Sequence, residues 1–116
     1  MNAEEVVRTE LGAWSTLDVD TIMQCFADDA VWNLGQPGTF EGSDAIRAAV
    51  AGFVDRMSYC DMEIINLAVA GDIVLTERID HFTMGDKTIH LPIMGAFEVT
   101  GDKVSAWRDY NSPPEL

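Results

Sequence analysis

The sequence predicts an α+β fold in which three N-terminal helices pack on a curved antiparallel sheet, in a cone-like arrangement. Apolar residues recur at helical spacing in the first half, whereas in the second half they alternate or form β-branched runs. Three Gly-Asp pairs, typical of hairpin turns, separate those runs. A chain of 116 residues supports one hydrophobic core, so a single domain is expected over residues 1–116.

Three amphipathic helices are predicted in the first half. Asn2 and Glu5 resemble a capping box that opens a helix through about Ser15, and Asp18 caps a second helix that ends near residue 28 or 29. A short strand over 30–34 and a loop over 35–38 follow, and Ser43 then caps the third helix. The apolar faces of these helices comprise Val7, Leu11 and Trp14; Val19, Ile22, Met23 and Phe26; and Ile46, Val50, Phe53 and Met57.

The second half is predicted to form a four-stranded antiparallel meander over about 60–70, 73–84, 87–100 and 103–111. Residues two apart on a strand share a face, and both faces of these strands carry apolar side chains. One face can pack on the helices. The other is expected to meet a second copy of the chain, because large exposed apolar patches are rare on monomers. The sequence therefore predicts a homodimer.

The composition limits the classes of partner. The net charge is −13, from 20 acidic against 7 basic residues, which argues against binding nucleic acid through a basic patch. No window approaches the roughly 18 apolar residues of a membrane span, so no membrane partner is expected. The acidic N-terminus lacks the features of a signal peptide, and a cytoplasmic location is expected by default.

The cysteine and histidine residues do not predict a metal site. Cys25, placed in an apolar helical stripe, and Cys60 are expected to be free buried thiols. The two histidines, His81 and His90, form no H-x-x-x-H spacing, and no C-x-x-C occurs. His81 follows Asp80 on its strand and is expected to face away from it.

Three charged residues stand out on otherwise apolar strands. Arg78 and Asp80 are two apart and therefore project from one face, and Asp109 shares a face with Trp107 on the last strand. If these faces coincide, two carboxylates converge on one guanidinium. A structural ion pair is one interpretation. The other is acid–base catalysis, because two carboxylates around one arginine can divide the roles of acid and base.

The segments that contain these residues closely resemble the signature strands of limonene-1,2-epoxide hydrolases, which have the cone fold called NTF2-like or SnoaL-like. The resemblance rests on 75–80, 91–99 and 107–110, which include the combination E-R-x-D and W-R-D-Y. It extends to Phe26-Ala27-Asp28-Asp29 and to the run 41–46, so it covers nearly the whole chain. The resemblance implies a cofactor-independent, one-step hydrolysis of an epoxide to a diol.

Carried over residue by residue, the resemblance makes Asp109 the general base, Asp80 the general acid and Arg78 the bridge between them. The family also holds the attacking water with a Tyr and an Asn spaced Y-x-N. Trp32 and Leu34 occupy those positions here, Asn33 is expected to point to the opposite side, and Tyr59 is expected near the pocket as a substitute. The predicted substrate- and water-binding residues are Trp32, Asn33, Leu34, Phe53, Met57, Tyr59, Leu91, Ile93 and Trp107.

Three functions remain open from the sequence. The first is hydrolysis of a small lipophilic epoxide with no cofactor and no metal. The second is epoxide-opening cyclisation or isomerisation on the same fold, which would need no bound water. The third is non-catalytic binding of an apolar ligand in the same pocket.

Overall fold

Six strands form one open, curved sheet in the computed structural model, which describes residues 1–112. Three helices cover one side of this sheet, which we call the inner face. The strands lie in the order β2-β1-β6-β5-β4-β3. The elements are α1 (Ala3–Ala13), a 3₁₀ turn (Trp14–Thr16), α2 (Val19–Met23), β1 (Phe26–Asn33), β2 (Thr39–Glu41), α3 (Ser43–Arg56), β3 (Met57–Ala70), β4 (Ile73–Met84), β5 (Lys87–Thr100) and β6 (Lys103–Tyr110).

Two of the three predicted N-terminal caps, Asn2 and Asp18, are present. Asn2 Oδ1 accepts a hydrogen bond from the Glu5 backbone at 2.8 Å, and the Glu5 carboxylate accepts one from the Asn2 backbone at 3.2 Å. This reciprocal pair confirms the capping box. Asp18 caps α2 by accepting from the backbone of Thr21 at 3.0 Å. The sharp bend between the two helices is made at Leu17, which has a φ of 52°.

The prediction for the second helix was wrong in length. α2 ends at Met23, and Phe26 begins β1 instead of lying on a helix face. The reason is tertiary: Phe26 pairs with Val104 of β6 and stacks its ring on Trp107, which overrides a local pattern that also fits a helix. Cys25 accordingly lies in a turn rather than a helix, although both cysteines are free and buried as predicted.

The third helix and the first strands also differ in detail from expectation. Gly42, with φ 85°, is the N-cap of α3, and Ser43 is its first residue. Met57 begins β3 and does not extend the helix. β2 was not predicted, and β1 pairs with β6 in parallel, so the sheet is mixed and not purely antiparallel.

The four C-terminal strands follow the predicted meander closely. β3 to β6 pair antiparallel, and the three Gly-Asp turns each place glycine at a positive φ near 62°. Along β4 the buried positions are Val74, Thr76, Arg78 and Asp80, which lie on the inner face. The predicted faces of β4, β5 and β6 are therefore confirmed.

The outer face of the sheet is partly apolar and exposed. A shallow groove there is lined by Ile65, Ile79, Pro92, Met94 and Tyr110, of which Met94 and Tyr110 are 52% and 62% exposed. His81 and His90 lie directly across from each other in β4 and β5, with Nδ1 atoms 2.6 Å apart, so His81 faces away from Asp80 as expected. Within residues 1–112, no helix is long and apolar enough to cross a membrane.

Candidate functional site

Arg78 of β4 lies between two carboxylates, as the sequence predicts. Its Nε and Nη2 donate to Asp80 at 3.1 and 3.0 Å, and its Nη1 and Nη2 donate to Asp109 at 3.1 and 3.0 Å. Each carboxylate is therefore bound in a bidentate manner, the geometry in which guanidinium–carboxylate pairs are strongest. Arg78 is 1% exposed, and the two aspartates are 5% and 7% exposed.

A glycine makes this convergence possible. β5 lies between β4 and β6, so Arg78 must reach across β5 to meet Asp109. Gly95 is in register with Thr76 on one side and with Asp109 on the other. A Cβ at this position would overlap Nη1 of Arg78 and would lie 2.8 Å from Oδ1 of Asp109. The guanidinium therefore passes directly over the bare backbone of Gly95.

Two further side chains hold the charged groups in place. The indole N–H of Trp107 donates to Oδ1 of Asp109 at 2.8 Å. Nη1 of Arg78 also donates to Oγ1 of Thr76 at 3.2 Å. The sequence predicted Trp107 as a pocket wall; in the structure Trp107 is fully buried, and its hydrogen bond to Asp109 was not predicted. The spacing of two residues on β6 was the signal, since it places both side chains on one face.

Burial and charge act differently on the pKa values of Asp80 and Arg78. Burial raises the pKa of Asp80; the hydrogen bond and the charge of Arg78 oppose this, and the charge of Asp109 adds to it, so the pKa is above its ordinary value. Burial acts to lower the pKa of Arg78, but both carboxylates outweigh it, and its pKa is raised. The guanidinium therefore stays charged, and burial favours a proton on Asp80.

Apolar side chains surround the charged groups. Ile64 and Ile93 are in register with Arg78 on the two neighbouring strands, and Met62 and Leu91 are in register with Asp80. Ile93 is 7% exposed, and Leu91 is half-buried. Both predicted wall residues of β5 therefore flank the Arg78–Asp80 pair on the inner face, and an apolar ligand there would find apolar contacts next to the carboxylates.

An aromatic cluster occupies the inner face beside Asp109. The Trp32 ring lies 5.3 Å from Trp107, 5.7 Å from Trp14 and 6.0 Å from Phe53, measured between centroids. The indole N–H of Trp32 is buried and has no hydrogen-bond partner among residues 1–112. Phe53 and Met57 are half-buried and pack against the same core.

The other predicted water-binding residues lie away from the carboxylates. Asn33 is in register with Arg108, and its Oδ1 accepts from the Gly35 backbone at 2.8 Å, so its side chain stabilises the following turn. Leu34 is half-buried against the core. Tyr59 is 52% exposed on the outer face, opposite Thr83 of β4. Tyr59 is thus not near Asp109, and the expectation that it replaces the missing water ligand does not fit the structure.

The site therefore combines residues that the sequence predicted with residues that it did not. Thr76 and Gly95 were missed as members of the site. A glycine within a long strand, without a turn signal around it, was the available sign of a close approach at Gly95. No cluster of three or more histidine, cysteine or acidic residues suited to a metal occurs in the part of the chain that the structure describes.

Comparison with known proteins assigns most of the chain to one protein family. Residues 7–107 match the family described as the SnoaL-like domain. The chain is 27% identical over 104 residues to the epoxide hydrolase EphG of Mycobacterium tuberculosis, covering 90% of this chain and 69% of that protein. The structure is also similar to that of an LEH-like epoxide hydrolase from M. tuberculosis, with a TM-score of 0.86 and 26% identity, covering 95% of this chain and 82% of that one.

A protein of ketosteroid isomerase-like fold from Catenulispora acidiphila, crystallised with trimethylamine, is similar in fold alone. It has a TM-score of 0.84 and 21% identity, covering 93% of this chain and 85% of that chain. These similarities confirm the NTF2-like cone that the sequence predicts. They also confirm the family resemblance noted from the sequence.

Proposed function

The chain belongs to the SnoaL-like domain family, and we propose that it hydrolyses small lipophilic epoxides to vicinal diols by one-step attack of water. The observation that carries this proposal is the doubly bidentate arrangement of Arg78 between Asp80 and Asp109. The similarity to proteins named epoxide hydrolases supports it. No cofactor enters the proposed reaction.

Asp109 is the proposed general base. Its carboxylate receives N–H groups of Arg78 on both oxygens and that of Trp107 on Oδ1, which fixes its orientation. A carboxylate oxygen has more than one acceptor direction, so Asp109 can still accept a proton from a water molecule. The water then forms a bond to one epoxide carbon while the C–O bond of that carbon breaks.

Asp80 is the proposed general acid. It must carry a proton before the reaction and give it to the epoxide oxygen as the ring opens, and its raised pKa favours the protonated form. Arg78 touches both carboxylates, so its positive charge stabilises whichever of them is ionised during the exchange. Proton transfer between Asp109 and Asp80 after turnover would restore the starting state.

Trp32 is the proposed partner for the water. Its buried N–H lacks an acceptor among the described residues, and its ring packs on Trp107, which itself binds Asp109. A buried donor without an acceptor costs roughly 1–3 kcal/mol, and a water shared with Asp109 would remove that cost. Leu34 and Asn33 do not enter this arrangement.

The substrate class follows from the apolar residues beside the carboxylates. Met62, Ile64, Leu91 and Ile93 flank Arg78 and Asp80 across the neighbouring strands and offer no polar side chain to a ligand. A compact hydrocarbon skeleton that carries an epoxide fits this lining. Small size is favoured because the side chains of Asp80 and Asp109 are only 7% and 5% exposed.

We also propose that the outer face forms a homodimer. Exposed apolar side chains concentrate around the groove of Met94 and Tyr110, and a second copy would cover them. Sedimentation equilibrium at micromolar concentration should give twice the 12.8 kDa mass of the chain. A monomer at all concentrations would contradict the dimer without bearing on the hydrolase.

The hydrolase proposal is tested by diol formation in oxygen-18 water from limonene, cyclohexene, styrene and longer alkyl oxides. The native protein should give singly labelled diol, and Asp109→Asn should give none while it remains folded by circular dichroism. Asp55→Asn, at an exposed position of α3, is the matched control and should keep full activity.

The same experiment separates the hydrolase from a second candidate, epoxide-opening cyclisation by a hydroxyl of the substrate. The Trp32 and Leu34 positions, which offer no polar group beyond one indole N–H, favour that candidate. Unlabelled cyclic ether from a hydroxy-epoxide, with no labelled diol from any substrate, would replace hydrolysis by cyclisation. Equal diol formation by Asp109→Asn would remove Asp109 as the base.

A further inference from the structure

A second ionisable group lies inside the core, on α1. Glu10 is fully buried on the face of α1 that also carries Val6 and Leu11. Neither oxygen of its carboxyl group has a hydrogen-bond partner among residues 1–112. An unpaired polar group in an apolar interior is destabilising, and an ionised one is far more so. The mechanism proposed above does not use this residue.

Burial dominates the titration of Glu10. It raises the pKa of the carboxyl group to about 8, and the indole N–H of Trp14, one turn along the chain, opposes part of the rise. The titratable neighbour is Cys25, whose thiol has a pKa raised first by its own burial and then by Glu10. Lys103 and Asp102, near the turn between β5 and β6, act on that thiol with opposite signs. Within residues 1–112, no basic side chain contributes to the pKa of Glu10 itself.

A continuous set of contacts leads from Glu10 to Asp109. The Trp14 indole N–H is the donor that acts on the Glu10 carboxyl group. Among the described residues it has no partner that satisfies hydrogen-bond geometry. The Trp14 ring meets Trp107 edge to face, with centroids 6.3 Å apart. Trp107 in turn donates to Asp109 at 2.8 Å. One aromatic ring therefore separates the buried acid from the residue that orients Asp109.

We propose that Glu10 is a positioning residue for Asp109, which acts through the packing of Trp14 on Trp107 and changes that packing when it loses its proton. This inference rests on the proposed function in that Asp109 is taken as the base. While the Glu10 carboxyl group is protonated, the aromatic cluster keeps the arrangement seen in the structure. Once Glu10 is ionised, its carboxylate needs a hydrogen-bond donor, and the Trp14 N–H is the donor beside it.

The physical reason for the coupling is the density of the interior. Trp14, Trp32 and Trp107 are all at most 2% exposed and contact one another, so a rotation of one ring must displace its neighbours. Turning Trp14 toward a Glu10 carboxylate would change its edge contact with Trp107. The Trp107–Asp109 hydrogen bond would change in length or angle as a result.

The test is a pH titration of the indole N–H signals in nitrogen-15 NMR spectra. The chain has three tryptophans, so three signals are expected, and each can be assigned by replacing one tryptophan with phenylalanine. In the native protein, the Trp14 and Trp107 signals should shift together with a midpoint near pH 8. Glu10→Gln should abolish both shifts. Glu4→Gln, which removes an exposed carboxylate of the same helix, should leave them unchanged.

Three results would overturn the inference. A Trp14 titration without any change at Trp107 would show that Glu10 ionises but is not coupled to Asp109. The absence of any indole titration in the native protein would show that Glu10 does not change its charge in this range. A Trp107 titration that persists in Glu10→Gln would assign the effect to another group. The native protein alone decides the first two, so folding of the variant is not required.

The activity readout is separate from the spectroscopic one. With an epoxide that the protein hydrolyses, native kcat should fall above about pH 8, while Glu10→Gln should hold its kcat with an unchanged KM. Equal pH profiles would overturn the positioning role. If no epoxide is turned over, the proposed hydrolase fails while the indole signals still decide whether Glu10 is coupled to Trp107.

Discussion

Gly95→Ala is expected to disrupt the site, whereas a Cβ added at any other glycine would meet no atom closer than 3.9 Å. The new Cβ would overlap Nη1 of Arg78 and lie 2.8 Å from Oδ1 of Asp109 and 3.0 Å from Oγ1 of Thr76. The backbone of Gly95 does not have a positive φ, so the expected effect comes from this overlap and not from backbone strain.

The magnitude follows from what must move. Adding a methyl group to a packed core costs about 1–3 kcal/mol, and breaking a buried ion pair costs about 3–5 kcal/mol. Arg78 cannot retreat without lengthening its bonds to Asp109, so part of the second cost is added to the first. We expect a loss of about 3 kcal/mol in the free energy of unfolding, or a fall in Tm on the order of 10 °C.

The assay is urea and thermal unfolding followed by tryptophan fluorescence, together with epoxide hydrolysis at a temperature where the variant is folded. Gly52→Ala is the matched control, because a Cβ there meets nothing within 4 Å and the residue lies in α3. It should be neutral or stabilise by up to about 1 kcal/mol. If Gly95→Ala were as stable and active as the native protein, Arg78 would not cross β5 at this point.

Two further predictions concern the buried groups. In the native protein, Glu10 binds a proton that the unfolded chain releases, so its contribution to stability is complete below about pH 4.5 and is lost as pH rises toward about pH 8. In urea unfolding, Glu10→Gln should therefore lose less stability over this interval than the native protein, by on the order of 5 kcal/mol, and parallel curves would contradict the burial of an unpaired carboxyl group. Trp107→Phe keeps part of the ring packing but removes the donor to Asp109 and leaves a cavity in the core, so Tm should fall by several degrees, and kcat should fall about tenfold or more at a temperature where the variant is folded. Unchanged kcat in this variant would mean that the Trp107 N–H does not orient the base.

The sequence predicted the parts of the fold that local rules determine. The Gly-Asp turns predicted the bounds of strands β3 to β6 to within a few residues, because glycine takes the positive φ that each turn requires. The capping box at Asn2 did the same for α1. Phe26 shows where this reasoning fails. Its spacing from Ile22 fits a helix, and its pairing with Val104 and its contact with Trp107 depend on residues about 80 positions away.

The site was predictable for a related reason. Arg78 and Asp80 are two apart, and Trp107 and Asp109 are two apart, so strand geometry alone gives the face of each pair. The sheet order decides which strand separates the two pairs and which residue of that strand lies between Arg78 and Asp109. Thr76 and Gly95 therefore joined the site only when the register of β4, β5 and β6 was known.

Stability alone does not account for the charged groups inside this core. Replacing a buried ion pair by apolar side chains of similar volume is often neutral or stabilising, so the group of Arg78, Asp80 and Asp109 is weak evidence of a purely structural role. Glu10 is a second departure from an apolar interior, and among residues 1–112 its carboxyl oxygens have no hydrogen-bond partner. Both departures adjoin one aromatic cluster, Glu10 through Trp14 and Asp109 through Trp107. The proposed hydrolysis, which needs protons to be held and exchanged inside an apolar site, would account for the first departure directly and for the second through the proposed coupling of Glu10 to Asp109.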